Sequence, residues 1–330
     1  MVTADTSRLG RRALLVGAAT LALTPSPTAA KVHRIGFLGT TSPKAIHGKF
    51  LDVFRAGLAE RGWVEGKNVS IEERWAEGEY GRLPGLAAEL VRLNVDLILT
   101  HGTPGVQAAK SATTTIPIVV AIAGDAVATG VVQSLARPGG NVTGSTFSFP
   151  EVNAKRIEIL KEALPGLKRT AVLLNGANPG NVVTFDAMTR TARTVGVEAL
   201  QVVARSAEDL DGAFAQMTKM RAEAVAIYED ALFLAEARRL ATLAERQKLP
   251  AIGFREFADA GGLLAFGVNW PDVWRRAAEY VDRIFKGARP GELPMAQPGK
   301  FDTVVNLRTA KALRLTIPNK VLMRAETVIE

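Results

Sequence analysis

The sequence predicts an α/β protein built from two doubly wound, parallel-sheet lobes. Its 330 residues exceed one average domain, and 47% of them are hydrophobic, enough for sizeable cores. Short apolar runs alternate with helical patterns through two blocks, about 31–147 and 148–267. Alternation of this kind favours right-handed βαβ units, so each block is expected to form its own sheet with covering helices.

Short runs of apolar and β-branched residues predict the central strands. Strands buried on both faces of a parallel sheet are almost continuously apolar, whereas half-exposed strands alternate. The runs that fit are Arg34–Gly39, Val95–Thr100, Ile116–Ile122, Thr170–Asn175 and Ala224–Tyr228.

Two helices are predicted from apolar residues at helical spacing. Phe50, Phe54 and Leu58 lie on one face of the first. The second, near Trp270 to Lys286, carries its apolar stripe at Val273, Trp274, Ala277, Ala278, Val281, Ile284 and Phe285. We expect this helix and the following strand, Phe301–Leu307, to cross between the lobes and complete a hinge.

The predicted domain division follows from these elements. The first lobe takes residues 31–147 and 268–298, and the second takes residues 148–267 and 299–330. Hinge crossings are expected near Phe147, Val268 and Pro298.

Residues 1–30 are predicted to be an export signal. Arg11 and Arg12 precede an apolar stretch, Ala13–Leu23, that is too short to span a bilayer, and small residues up to Ala30 suit a signal peptidase. The paired arginines are typical of a twin-arginine signal, although a Sec-type leader can also contain them. We therefore expect a periplasmic protein whose mature chain begins at Lys31.

Composition argues against several classes of function. Cysteine is absent, which excludes disulfides, thiolate metal sites, thiol nucleophiles and a lipid-modified N-terminal cysteine. The formal net charge of +8 is spread along the chain without a long basic run, and aromatic residues make up only 6%. This pattern argues against nucleic-acid binding.

Catalytic signatures are missing as well. Gly36–Thr41 lacks the third glycine of a dinucleotide loop, and Gly62–Asn68 is one residue short of a phosphate loop. His33, His47 and His101 have no carboxylate at metal-ligand spacing on a shared helix. The sequence therefore predicts no enzyme activity, no cofactor and no metal.

A ligand is expected beyond the carboxyl ends of the strands, where helix N-termini and free amides gather. Most residues in those loops are small or polar. The candidate ligand contacts are Thr40, Thr41, His101, Thr103, Asp125, Thr146, Phe147, Asn178, Tyr228, Asp230, Phe254, Arg255 and Asn269.

These residue types suit a zwitterion or a polyol. Hydroxyls and amides beside helix starts hold a carboxylate, Asp125 or Asp230 can hold an ammonium, and Phe147, Tyr228 or Phe254 can stack on an apolar group. The same loop positions also favour helix caps and turns, so capping and ligand contact both remain open for each residue.

For two of the candidates, His101 and Arg255, a structural role is as open as a role in ligand binding. His101 either donates to a ligand oxygen or simply ends its strand. Arg255 either clamps a carboxylate through both guanidinium nitrogens or forms a surface salt bridge with Glu256 or Asp259.

Many segments of the mature chain resemble the ABC transporter substrate-binding family that includes the tryptophan-binding, TrpX-like proteins. The similarity covers essentially the whole mature chain. It is carried by Arg34–Gly39, Phe54–Leu58, Gly62–Asn68, Arg74–Glu77, Leu83–Pro84, Gly124–Asp125, Ser134–Gly144, Gly253–Phe257, Phe301, Asn306, Thr309–Ala312 and Ile317–Pro318.

The resemblance implies a type I periplasmic-binding-protein fold whose cleft clamps a small solute and presents it to an ABC permease in the inner membrane. A monomer that binds an amino acid or related compound is expected. Two alternatives stay open: a sensor that presents the same fold to a membrane receptor, and an exported enzyme that uses cleft carboxylates such as Asp125 and Asp230.

Overall fold

The strands of this computed structural model form two separate sheets in the residues that it describes, 1–2, 31–147 and 149–330. The first sheet has the order β2-β1-β3-β4-β5, and all of its neighbouring strands are parallel. Its strands are β1 (His33–Gly39), β2 (Val69–Trp75), β3 (Leu97–Thr100), β4 (Ile118–Ala123) and β5 (Val142–Thr146).

The second sheet has the order β12-β11-β10-β9-β8-β6-β7. Only the β10–β11 pair in it is antiparallel, so the predicted parallel architecture is confirmed with one reversal. Its strands are β6 (Arg169–Asn175), β7 (Glu198–Ala204), β8 (Ala224–Ile227), β9 (Ala251–Gly253), β10 (Leu264–Val268), β11 (Phe301–Asn306) and β12 (Thr327–Ile329).

Helices follow most of the strands and cover the faces of both sheets, as βαβ connections require. Short 3₁₀ turns lie at Tyr80–Arg82 and Pro290–Glu292. The α-helices are α1 (Ile46–Ala59), α2 (Leu83–Arg92), α3 (Gly102–Ala112), α4 (Phe149–Ala163), α5 (Pro179–Thr194), α6 (Asp209–Lys219), α7 (Ala231–Ala235), α8 (Ala237–Arg246), α9 (Arg255–Asp259), α10 (Trp270–Phe285), α11 (Leu307–Ala312) and α12 (Asn319–Leu322).

Helix α10 packs beside α1 on the first sheet. Its fully buried Trp274 lies near the rings of Phe37 on β1 and Phe50 on α1, with centroids 6.0 Å away in each case. The two helices approach so closely that a Cβ on Gly57 would lie 3.0 Å from the Cβ of Ala278. The apolar stripe predicted for this helix is thus the face that covers the first sheet.

The chain passes between the two sheets at three places in the described residues: after Phe147, between β10 and α10, and between Ala296 and β11. The connections lie side by side, because Thr146 N donates to Ala296 O at 2.9 Å and Asn269 N donates to Lys300 O at 3.2 Å. The predicted crossing elements do not themselves span the gap. Helix α10 lies on the first sheet and β11 pairs within the second.

The predicted export signal lies almost wholly outside the described residues, which omit 3–30 and residue 148. Val32–Glu330 forms one compact unit. Within the described part of the chain, no helix combines the length and the apolar composition needed to cross a bilayer.

Candidate functional site

A cavity lies where the carboxyl ends of the strands of the two sheets face each other. Its empty space is about 390 Å³ with the opening to solvent included, and about 20 Å³ of it is open to the centre of a water-sized sphere. Its lining comes from both sheets and two of the crossings: Thr40, His47, Tyr80, His101, Gly102, Thr103, Pro104, Ile122, Ala123, Gly124, Phe147, Asn178, Glu229, Asp230, Ala231 and Trp270.

Six of the candidate residues line this cavity, and all six are buried. They come from loops that follow four different strands and from one crossing, so only the tertiary fold brings them together. They are Thr40, His101, Thr103, Phe147, Asn178 and Asp230.

Three other candidates on the first sheet lie outside the lining and have structural partners. The Thr41 hydroxyl lies 3.0 Å from His47 Nδ1. Asp125 accepts from the amides of residues 127 and 128, as a turn-capping aspartate does. Thr146 Oγ1 donates to Gly124 O and accepts from an amide, both at 3.0 Å. Their ligand contacts stay predictions.

The remaining candidates lie in the second sheet and its helices, also outside the lining. Tyr228 and Phe254 are fully buried in the core, because their side chains point into the sheet's packing rather than past its edge. Arg255 lies 3.5 Å from Asp259, the surface pairing left open as its alternative. Asn269 caps α10 by accepting from the amide of Asp272 at 3.0 Å.

Ten lining residues were not among the candidates, and four of these have polar or aromatic side chains: His47, Tyr80, Glu229 and Trp270. Glu229 directly precedes Asp230 at the end of the same strand, so the rule that selected Asp230 applies equally to Glu229. Trp270 lies two residues after Val268, where a crossing between the lobes is predicted, and this nearness could have marked it as a candidate ligand contact. His47 and Tyr80 lie within a helix and a short turn, where no sequence pattern marks a ligand contact.

Asp230 is the centre of a hydrogen-bond network at the end of β8. Its Oδ1 accepts from Asn175 Nδ2 at 2.8 Å and from the Leu232 amide at 2.9 Å, which also caps α7. Its Oδ2 accepts from Asn178 Nδ2 at 2.7 Å. These three donors are amide N–H groups, and they orient the carboxylate.

Tyr80 joins the network from the first sheet. Its hydroxyl donates to Asp230 Oδ1 at 3.2 Å, across the gap between the sheets. Although the ring is only half-buried, burial of the hydroxyl and the negative charge of Asp230 raise the pKa of Tyr80 well above its ordinary value. The hydroxyl therefore keeps its proton and remains a donor that links the two sheets.

Glu229 is half of a fully buried ion pair with Arg156. Arg156 Nη2 donates to Glu229 Oε2 at 2.6 Å, and both side chains are 0% exposed. Burial raises the pKa of Glu229, while the charge and hydrogen bond of Arg156 oppose that rise. The guanidinium also donates to Phe266 O at 2.6 Å and Ile227 O at 2.8 Å, so it ties α4 to β10 and β8.

Two histidines stack against each other in the cavity wall. The rings of His47 and His101 lie 4.5 Å apart and 16° from parallel. Burial lowers the pKa of His47 to about 3, and burial together with the charge of His47 lowers the pKa of His101 well below its ordinary value. The Thr40 amide donates to His101 Nε2 at 3.3 Å, which requires an unprotonated nitrogen there. Both rings are neutral at neutral pH.

This stack predicts a loss of stability in acid that a His47→Gln variant reduces. In the unfolded chain His47 takes up its proton near the ordinary histidine pKa of 6.5, whereas in the folded chain it does so only near pH 3. Unfolding therefore takes up a proton between these values. The free energy of unfolding falls by up to about 1.4 kcal/mol per pH unit from this residue as pH drops through that window.

Denaturant unfolding of both proteins between pH 7.5 and 5 measures this effect as the difference between their curves. Comparing the two proteins removes the contribution of Glu256, which both contain. Burial raises the pKa of Glu256 to about 7, so this residue stabilises the folded chain as pH falls and opposes the histidine effect. Parallel curves for the two proteins would contradict the prediction.

The N-terminus of α3 also opens into the cavity. Its first residues, Gly102, Thr103 and Pro104, belong to the lining, and no side chain caps the helix. Thr103 Oγ1 is buried without a hydrogen-bond partner in the described part of the chain. A helix N-terminus with a free hydroxyl beside it can hold an anionic group such as a carboxylate. Among the described residues, no cluster of histidine and acidic side chains could hold a metal ion.

Two largely parallel sheets joined by adjacent crossings, with a small cavity between their strand ends, define a ligand-binding protein of the type I periplasmic-binding-protein fold. The chain belongs to the ABC transporter substrate binding protein family, whose sequence model matches residues 46–329. It is a substrate-binding protein of this transport class.

Similar proteins include a tyrosine-binding protein of Clostridioides difficile (strain R20291), 26% identical over 79% of this chain and 75% of that protein. A Streptococcus pneumonia ABC domain in complex with L-Trp has a TM-score of 0.84 at 24% identity, covering 91% of this chain and 100% of that one. A ligand-free, open substrate-binding protein of Clostridium difficile has a TM-score of 0.65 at 24% identity, covering 91% and 99%.

Proposed function

We propose that this protein is the exported binding component of an ABC importer and that its solute is an α-amino acid with an aromatic or apolar side chain. The observation that carries the proposal is that the Asp230 carboxylate and the N-terminus of α3 face the same small cavity from opposite sheets. A zwitterion needs one group of each sign.

The carboxylate of the solute would bind at α3. The uncapped first turn offers its amide N–H groups, and the Thr103 hydroxyl has no other partner among the described residues. Thr40 lies on the adjacent loop of the same wall. Hydrogen bonds to a charged group are stronger than neutral ones, so this wall suits an anionic end.

The ammonium of the solute would bind at Asp230. Amide and hydroxyl donors orient this carboxylate at the cavity wall, and a carboxylate attracts a cationic group. The side chain of the solute would then contact Phe147, Trp270 and the neutral imidazoles, which present aromatic faces. The tyrosine-binding relative and the L-Trp complex support this ligand class.

We also propose that the two sheets and their helices are lobes that close around the solute by bending at the three crossings, near Phe147, Val268 and Pro298; Val268 itself is the last residue of β10 and so belongs to the second lobe. The Tyr80–Asp230 hydrogen bond, which joins the two sheets, supports this proposal. The open Clostridium difficile structure and the L-Trp complex are equally identical to this chain in sequence, at 24%. The TM-score is lower with the open structure, 0.65 against 0.84, as a different angle between the lobes would give.

Residues 1–30 would direct export of this protein to the periplasm by the twin-arginine route. The closed mature protein would then dock as a monomer on an inner-membrane ABC permease. The solute would be released unchanged, because the family consists of transport proteins and the cavity needs no reactive group for binding.

Calorimetry and small-angle X-ray scattering test the proposal together. The protein is first unfolded and refolded to remove retained solute, then titrated with the common L-amino acids. We expect at least one aromatic or large apolar amino acid to bind with a Kd in the micromolar range or below, and its saturation to reduce the radius of gyration. No binding by any amino acid would refute the ligand class, and binding without compaction would refute closure.

A further inference from the structure

His47 has one ring nitrogen with a partner and one without. Its side chain is 0% exposed, and it lines the cavity. Nδ1 lies 3.0 Å from the Thr41 hydroxyl, whereas Nε2 is buried and has no hydrogen-bond partner in the described part of the chain. A buried polar atom without a partner is costly, so Nε2 requires an explanation.

The neighbouring imidazole has no such free position among the described residues. His101 Nε2 accepts from the Thr40 amide at 3.3 Å, and its Nδ1 lies 3.5 Å from the Thr40 hydroxyl. The two consecutive threonines after β1 therefore contact one ring each, but only the ring of His47 keeps a nitrogen available. Thr41 lies outside the lining and can act on the cavity only through His47.

The free nitrogen belongs to the wall of the cavity that suits an anion. His47 stacks on His101, which directly precedes the first turn of α3, with ring centroids 4.5 Å apart. Thr103 in that turn lines the same cavity, and its Oγ1 is also buried without a partner in the residues that the structure describes. An uncapped helix start, a hydroxyl and an imidazole edge that all donate would together hold an oxygen anion.

The role of Nε2 depends on where the ring carries its proton. Burial lowers the pKa of His47 to about 3, so the ring is neutral at neutral pH and has a single N–H. If the Thr41 hydroxyl donates to Nδ1, the proton is on Nε2, which is then a donor. If Nδ1 donates to Thr41 instead, Nε2 is an acceptor and repels an anion.

We propose that the Thr41 hydroxyl donates to Nδ1 and that His47 Nε2–H donates to the α-carboxylate of the solute. His47 is then a specificity-determining residue that selects a free carboxylate over an amide, and Thr41 is its positioning residue. This inference rests on the proposed function, which places the carboxylate at this wall.

Long-range ¹H–¹⁵N NMR of the refolded wild-type protein tests the position of the proton without any substitution. The sequence contains three histidines, and loss of one set of signals in His47→Gln identifies those of His47. We expect the proton on Nε2, and we expect the Nε2 signal to shift when the tightest binder among L-phenylalanine, L-tryptophan and L-leucine saturates the site. A proton on Nδ1 in the saturated protein, or an unchanged Nε2 signal, would overturn the assignment.

Calorimetry with the same three amino acids and their carboxamides measures the acid-to-amide affinity ratio. His47→Phe keeps a ring and removes the N–H, and we expect it to lower this ratio by about 10-fold, because the lost hydrogen bond is to a charged group. His47→Gln should recover part of the ratio, since its amide NH₂ can replace the Nε2 donor. A wild-type ratio in His47→Phe would overturn the inference and leave the amino-acid proposal intact.

Two further substitutions separate positioning from packing. Thr41→Val keeps the shape and removes the hydroxyl, so the ratio should fall by about threefold, and Thr41→Ser should recover it. Trp274→Phe is the control, because its ring lies 5.4 Å from that of His101 but outside the lining, and its ratio should match the wild type. Equal reductions in Trp274→Phe and His47→Phe would indicate a packing effect and overturn the role of His47. Absence of binding by every amino acid would remove both proposals.

Discussion

Replacing Arg156 with methionine is expected to lower the free energy of unfolding by about 3–5 kcal/mol. The substitution leaves the Glu229 carboxylate buried without its countercharge, and it removes the donors to the carbonyls of Ile227 and Phe266. Urea unfolding followed by tryptophan fluorescence measures the loss. A double variant, Arg156→Met with Glu229→Met, should recover part of it, because no lone buried charge remains.

An exposed ion pair on the same sheet's helices is the matched control. Arg239 Nη2 and Asp211 Oδ2 lie 2.6 Å apart, the same separation as in the buried pair, but the two side chains are 38% and 58% exposed. Water screens such pairs, so Arg239→Met should cost less than about 1 kcal/mol. A cost for Arg156→Met as small as this would show that the buried pair does not stabilise the fold.

The Asp230→Asn variant is expected to weaken binding of the cognate amino acid by about 30- to 1000-fold. Asparagine keeps an oxygen that can cap α7, but it removes the negative charge that faces the ligand ammonium and places an NH₂ group towards Asn178. Calorimetry measures the change in Kd. A des-amino analogue of the same ligand should lose much less affinity, because it has no ammonium to be balanced.

Asp125→Asn is the control for this prediction, because both aspartates are candidates for the same role on sequence grounds. Asp125 also follows a strand of its sheet, yet its carboxylate accepts from the turn amides of Val127 and Ala128 outside the cavity lining. Its substitution should change the ligand Kd by less than about threefold. A larger effect at Asp125 than at Asp230 would move the ammonium site to the first sheet.

The site was only partly predictable, because its residues are related by space and not by spacing along the chain. Asp230 and Asn178 were found from the rule that ligands bind beyond strand ends. Tyr228 and Phe254 satisfied the same rule but are buried in the core, since a one-residue step along a strand end turns the side chain to the other side. Tyr80 could not be found in this way, because only the closeness of the two sheets brings it to Asp230.

What the sequence by itself determined is the class of fold and the edge of each sheet where a ligand would bind. Apolar runs of strand length and helical stripes such as that of α10 are local patterns, and they reflect burial that any α/β packing must achieve. Only the tertiary structure decided which strand-end residues share the cavity and that Arg156 locks Glu229 beside Trp270. The Arg156–Glu229 contact joins residues 73 positions apart in the chain, and no local pattern encodes such a contact.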